Sequence, residues 1–109
     1  MHDIYQQLTI RLFSLEVLLR DHGLWSETAP EPHRLRSTAP FACDVLDLEE
    51  WLQHIFLPRM HELVQGRLTL PDECNIEPYA RECFAGREGE LTALLTALAE
   101  LDELINEAA

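Results

Sequence analysis

Apolar residues recur every three or four positions in three long segments of the chain, which is the spacing of amphipathic helices. The first segment, residues 2–22, has one inner face: Tyr5, Leu8, Leu12, Leu15 and Leu19. Four more apolar residues widen that face: Ile4, Phe13, Val17 and Leu18. We therefore expect a first helix that is buried on more than one side. Gly23 should end it, since glycine readily adopts the left-handed conformation of helix ends.

A second helix is predicted to start near Cys43–Asp47 and to run to Gln65. Asp44 or Asp47 can cap it, because a short side-chain oxygen accepts the free N–H groups of a first turn. Its apolar face contains Leu48, Trp51, Leu52, Ile55 and Phe56, and then Met60, Leu63 and Val64. Pro58 lies inside this pattern and lacks a backbone donor, so we expect the helix to be kinked or split there.

The connection of residues 24–41 is longer than most connections in compact domains. Pro30, Pro32 and Pro40 prevent one continuous helix. Its apolar residues are sufficient to attach it to the rest of the chain: Leu24, Trp25, Leu35 and Phe41. We expect an ordered loop that lies across the helices.

The last third of the chain predicts two more helices after a loop at residues 67–76. A short helix begins at Pro78, with Tyr79, Cys83 and Phe84 facing inward. The final helix covers residues 88–107, and its apolar residues are spaced 3, 4, 3, 4: Leu91, Leu94, Leu98, Leu101 and Ile105. The predicted fold is all-α, a four-helix bundle in one domain, residues 1–109, with a long ordered loop between the first two helices. Carboxylates near the end oppose the helix dipole, which suggests a charged partner: Glu100, Asp102, Glu103 and Glu107.

Composition adds a strong charge asymmetry. The chain has 20 acidic residues, 8 basic residues that are all arginine, and a net charge of −12. Such a chain should repel a phosphate backbone, so we expect no direct nucleic-acid binding, whereas a basic protein partner would suit it. The three cysteines form no CxxC pair, and no signal-peptide or membrane-spanning pattern is present. These features predict a cytoplasmic protein with reduced thiols.

Catalytic and metal-binding patterns are weak. Glu50, His54 and His61 have helical spacing, but Pro58 lies between the two histidines and no HExxH is present. We expect His54 and His61 at the edge of the bundle. Cys43 and Cys83 are predicted to be small core residues, because nearby carboxylates would raise a thiol pKa and disfavour a reactive thiolate. No metal, cofactor or enzymatic activity is predicted.

Residues 25–59 hold the most unusual combination of side chains. We predict a contact surface for another protein at six positions: Trp25, Phe41, Asp44, Trp51, Gln53 and Arg59. Tryptophan and arginine are enriched in interface hot spots. An alternative structural interpretation makes Phe41 and Trp51 core residues and Arg59 the ion-pair partner of Asp44 or Glu50.

The same segment resembles the YqcC-like family of small bacterial helical proteins, some of which carry the name tRNA pseudouridine synthase C or an associated-protein name. The resemblance is carried by Ser37-Thr38-Ala39-Pro40-Phe41 with Asp44, Glu50-Trp51-Leu52-Gln53, Pro58-Arg59-Met60 and Pro78-Tyr79. It extends over nearly the whole chain and implies a four-helix bundle. Synthase activity itself is not implied, since no residue here matches the catalytic Asp motif of those enzymes.

The resemblance and the charge together predict a non-catalytic acidic adaptor for a protein partner, with a tRNA pseudouridine synthase as the expected partner. Two alternatives remain open. One is a small-molecule-binding module in which the Ser37–Phe41 loop covers the bend at Pro58. The other is a homodimer formed through an unused apolar face of the first or last helix.

Overall fold

The computed structural model describes residues 3–108. Helix α1, Ile4–Asp21, begins after Asp3, whose carboxylate accepts the Gln6 N–H at 2.9 Å. That hydrogen bond, aided by Arg67, lowers the pKa of Asp3. The helix ends at Asp21, and Gly23, two residues further on, has the predicted positive φ of 71°. Residue 2, the predicted start of the helix, lies outside the described residues.

The inner face of α1 is narrower than predicted. Leu8, Leu12, Leu15 and Leu19 are fully buried, as the spacing required. Phe13 and Val17 instead remain exposed, so the helix is not buried on a second side. The reason is that α1 packs on α5 and α3, and no described element covers its outer face.

The central helix of residues 48–65 consists of three consecutive parts. Helix α2, Leu48–Trp51, leads into a π turn, Leu52–Phe56, and then into α3, Leu57–Gln65. Asp47 precedes it, and Glu50 accepts the Asp47 N–H at 2.9 Å. Within the turn, the Leu57 N–H reaches back five residues to the carbonyl of Leu52. The disruption predicted at Pro58 therefore takes the form of a wider turn just before the proline.

Helix α4, Ile76–Cys83, starts two residues before Pro78, the predicted first residue of this helix. The buried carboxylate of Asp102, on α5, accepts the N–H groups of Ile76 at 2.9 Å and Glu77 at 2.8 Å. This long-range cap fixes the helix start earlier than the sequence suggests. Pro78 is tolerated as the third helical residue, because N–H groups in a first turn have no helical acceptor.

Helix α5, Thr92–Ala108, follows a turn that includes residues 89–91 and packs on α1 and α4. Its predicted inner residues are all buried: Leu91, Leu94, Leu98, Leu101 and Ile105. The described residues contain no strand, which confirms the all-α bundle. None of the helices in residues 3–108 has the length and apolar character needed to cross a membrane.

Candidate functional site

Phe41 and Trp51, two of the predicted contact residues, belong to a half-buried aromatic cluster. The Phe41 ring stacks on Tyr79 with centroids 4.4 Å apart, and it meets Trp51 edge-on at 5.0 Å. Trp51 also stacks on the buried Phe56 at 5.4 Å. Phe41 has a positive φ of 57°, which costs on the order of 1 kcal/mol or more for a residue other than glycine. The cluster therefore holds the end of the long connection against the central helix and α4.

Gln53 joins the long connection to the π turn. Its Oε1 accepts the Ser26 N–H at 2.8 Å, and its Nε2 donates to the Ser26 carbonyl at 2.7 Å. Both hydrogen bonds are partly buried. The side chain that the sequence placed on a contact surface thus satisfies two backbone groups of the loop, and its polar atoms face the protein.

Asp44 and Arg59 do not form the predicted ion pair. Asp44 accepts the Ser37 hydroxyl at 2.6 Å, whereas Glu50 pairs with Arg34 at 3.2 Å. Arg34 takes this position because its guanidinium also donates to the Val45 carbonyl, at 2.9 and 2.6 Å, just before the central helix. Arg59 is exposed and has no ion pair with any residue that the structure describes.

Trp25 is half-buried, and the Arg20 guanidinium lies 4.3 Å from its ring centroid. It follows that the six predicted residues do not share one role. Phe41, Trp51 and Gln53 attach the connection to the bundle, Asp44 closes a turn, and Trp25 and Arg59 present at least part of their surface to solvent.

Three of the four large apolar side chains that are exposed within residues 3–108 lie elsewhere, on the outer face of α1. Phe13 is 66% exposed, Ile10 58% and Val17 47%. They are spaced three and four apart and form one stripe, which we call the α1 stripe. Sequence analysis assigned Phe13 and Val17 to the inner face because a broad apolar pattern does not reveal which half a neighbouring helix will cover.

Two further surface features lie beside the α1 stripe. Ser14 and Leu18 border the stripe and also border a groove between α1 and α5, which contains Ala93 and Ala97. Thr96 and Glu100 line that groove and also the side of α5 next to α4, where Glu103 lies with Glu88 of the preceding turn and Arg81 of α4. Because neighbouring depressions share lining residues, the α1 stripe, the small-residue groove and the acidic face of α5 form one continuous surface.

Comparisons with known proteins identify relatives along the whole chain. Residues 7–104 match the family described as DUF446, tRNA pseudouridine synthase C. The uncharacterized protein YqcC of Escherichia coli strain K12 is 35% identical over 100 residues, which is 92% of each chain. The solution NMR structure of E. coli YqcC superposes with a TM-score of 0.87 at 33% identity, covering 99% of this chain and 92% of that one. The chain belongs to the YqcC-like family.

A second relative connects the YqcC-like region with a longer protein. The tRNA pseudouridine synthase C of Pectobacterium carotovorum is 45% identical over 65 residues, which is 60% of this chain but 17% of that protein. Most of that protein therefore lies outside the shared region, and its name does not locate synthase chemistry within the YqcC-like part.

The solvent exposure of the cysteines in this YqcC-like chain differs from the prediction. Cys43 and Cys83, predicted core residues, are exposed, and Cys74 is buried. The Cys74 Sγ lies 3.1 Å from Asp102, and Asn106 pairs with its backbone N–H and carbonyl at 2.8 and 2.9 Å. Burial, reinforced by the Asp102 carboxylate, raises the pKa of the Cys74 thiol, so this buried cysteine is poorly suited to nucleophilic chemistry.

Metal-ligating side chains are dispersed. Within residues 3–108, no group of three or more His, Cys, Asp or Glu side chains is placed to hold a metal ion. Glu50, one of the three residues with metal-like spacing, is bonded to Arg34 and to the Asp47 N–H. His54 and His61 are half-buried, and the buried His54 Nε2 has no hydrogen-bond partner among the described residues.

Proposed function

We propose that this chain is a non-catalytic adaptor that binds a tRNA pseudouridine synthase through the α1 stripe. The observation that carries the proposal is the exposure of Ile10, Phe13 and Val17 in one line on a helix whose opposite face is fully buried. An aromatic side chain that is two-thirds exposed between two aliphatic ones is typical of a surface covered by another protein.

The choice of partner is supported by the family description and by the synthase of P. carotovorum, in which a related segment is a minor part of a longer protein. Charge supports the same choice, because an enzyme that binds tRNA needs a basic surface and this chain carries −12. Six of its eight arginines are engaged in ion pairs with described carboxylates, which leaves little cationic surface for RNA.

The small-molecule alternative has less support. Ser37 donates to Asp44, and the Phe41 ring packs between Trp51 and Tyr79. The Ser37–Phe41 loop, which was expected to cover a binding site, therefore fills the adjacent space with the Phe41 side chain.

Isothermal titration of the purified chain into the tRNA pseudouridine synthase of the same organism tests the proposal. Phe13→Ser should weaken binding by about tenfold or more, because it removes the central side chain of the stripe. Leu68→Ser is the matched control, since Leu68 is 49% exposed but lies outside the stripe. Arg59→Ala tests whether the exposed arginine adds to the contact. Absence of binding by the wild-type chain, or equal losses for Phe13→Ser and Leu68→Ser, would contradict the proposal.

A further inference from the structure

The surface made by the α1 stripe, the small-residue groove and the acidic face of α5 has an asymmetric chemistry. One edge is apolar, and the middle is lined by Ser14, Ala93 and Ala97. The far edge carries Glu100 and Glu103 and also Arg81, whose guanidinium is paired with Glu77. Glu100 is paired with Arg11, whereas Glu103 is exposed and has no ion-pair partner within residues 3–108. Glu107 is also exposed and lies one turn further along the same face of α5.

A second copy of the chain fits this surface poorly. Side chains of this size expose roughly 150–200 Å² when free, so the exposed fractions of the stripe correspond to about 300 Å² of apolar area. Two stripes would supply about 600 Å², half of the roughly 1,200 Å² at the lower limit of stable interfaces. Two chains of net charge −12 would also bring their acidic faces close together.

We propose that this surface binds a cationic amphipathic helix of a partner protein. The apolar residues of that helix, at positions i, i+3 and i+7, would cover Ile10, Phe13 and Val17. Its backbone would lie over Ser14, Ala93 and Ala97, since small residues allow two helices to approach closely. Its Lys or Arg residues would face Glu103 and the acidic edge of α5. The inference rests on the proposed function, because it assumes a protein ligand, and it adds the chemistry of the docking segment.

The test is an NMR titration of the ¹⁵N-labelled chain with synthetic peptides of about 18 residues, five helical turns. The first peptide is a Leu/Lys sequence with an amphipathic helical period. The second has the same composition in an order without that period, and the third replaces every Lys with Glu. We expect shifts at α1 and α5 with the first peptide alone, and binding that weakens as salt increases.

Two variants, each with a matched control, test how much the apolar edge and the acidic edge contribute to peptide binding. Phe13→Ser and Glu103→Lys should each weaken binding of the Leu/Lys peptide by about fivefold or more, whereas Leu68→Ser and Glu62→Lys should change it by less than about twofold. Glu62→Lys is the charge control, because it changes the net charge equally at an exposed position on α3. Equal effects of Glu62→Lys and Glu103→Lys, or equal binding of the non-periodic peptide, would overturn the inference.

The remaining outcomes separate this inference from the proposed function. One outcome is that light scattering of the chain alone gives twice the monomer mass and that Phe13→Ser returns the mass to that of a monomer. In that case a second copy occupies the stripe and the inference is wrong. If the synthase binds but Glu103→Lys leaves that affinity unchanged, the adaptor proposal stands and the cationic-helix mode fails. If the Leu/Lys peptide binds as expected but the synthase does not, the docking chemistry stands and the choice of partner fails.

Discussion

Substitution of Asp102 by alanine should destabilise the chain more than any other change to its acidic residues. The carboxylate is 8% exposed and accepts three donors: the N–H groups of Ile76 and Glu77 and the thiol of Cys74. Loss of a helix cap costs about 1 kcal/mol, and an unsatisfied buried N–H adds about 1–3 kcal/mol. Glu77 is only half-buried, so water can replace part of its bond. We therefore expect a total loss of about 2–4 kcal/mol.

Urea denaturation followed by circular dichroism measures this loss directly, and thermal melting should show a decrease of about 8–16 °C, at roughly 4 °C per kcal/mol for a domain of this size. Amide exchange should also accelerate at Ile76 and Glu77, the two residues whose N–H groups lose their acceptor. Asp102→Asn should be intermediate, because it keeps one acceptor oxygen but presents an amide donor to the second N–H. Glu103→Ala, at the exposed neighbouring position, is the control and should change stability by less than about 0.5 kcal/mol.

The reasoning would be refuted if Asp102→Ala and Glu103→Ala were equally stable, or if Ile76 and Glu77 kept their exchange protection without the carboxylate. Either result would mean that α4 is held by its apolar contacts with α5 alone. The hydrogen bonds to Asp102 would then be a consequence of that packing and would add nothing to the stability of the chain.

Two further predictions concern titratable side chains. In native protein a disulfide reagent should modify the exposed Cys43 and Cys83 rapidly and the buried Cys74 only after unfolding, as measured by peptide mass spectrometry; rapid labelling of all three would contradict the buried thiol. Burial, aided by Cys83, raises the pKa of Tyr79 to about 12, above the ordinary value of 10, so its neutral form is favoured in the folded state. The resulting stability is fully present below pH 10 and is lost as the pH rises toward 12. Absorbance titration at alkaline pH should show a late tyrosine step that Tyr79→Phe removes, and an unchanged profile in that variant would refute the assignment.

The helices could be predicted from the sequence because their signals are local. Leucine spacing defined the buried face of α5, Gly23 marked the end of α1, and Pro58 indicated the disrupted turn of the central helix. Each of these features depends on residues within a few positions of one another. The family resemblance was also recoverable, since its motifs are contiguous in the chain.

The long-range polar contacts could not be predicted in this way. Asp102 caps a helix that begins 26 positions earlier, and Gln53 bonds to a residue 27 positions away. Such pairs leave no periodic signal, so Asp102 was interpreted as part of an acidic tail and Gln53 as a contact residue. The outer face of α1 was assigned incorrectly for a related reason: periodicity shows that a face is apolar, but only the tertiary arrangement shows whether another helix covers it.

The π turn at Leu52–Phe56 holds one residue more than a regular helical turn would. Each residue of an α-helix advances the side-chain direction by about 100°, whereas the wider turn spreads the extra residue over nearly the same rotation. Leu48 before the turn and Met60 after it can therefore both be buried in the core. Removing one residue from the turn, such as His54, should let a regular helix form with both ends still facing the core. Removing one residue from α3, such as Arg59, should be far more damaging, because it would rotate Met60 by about 100° relative to Leu57.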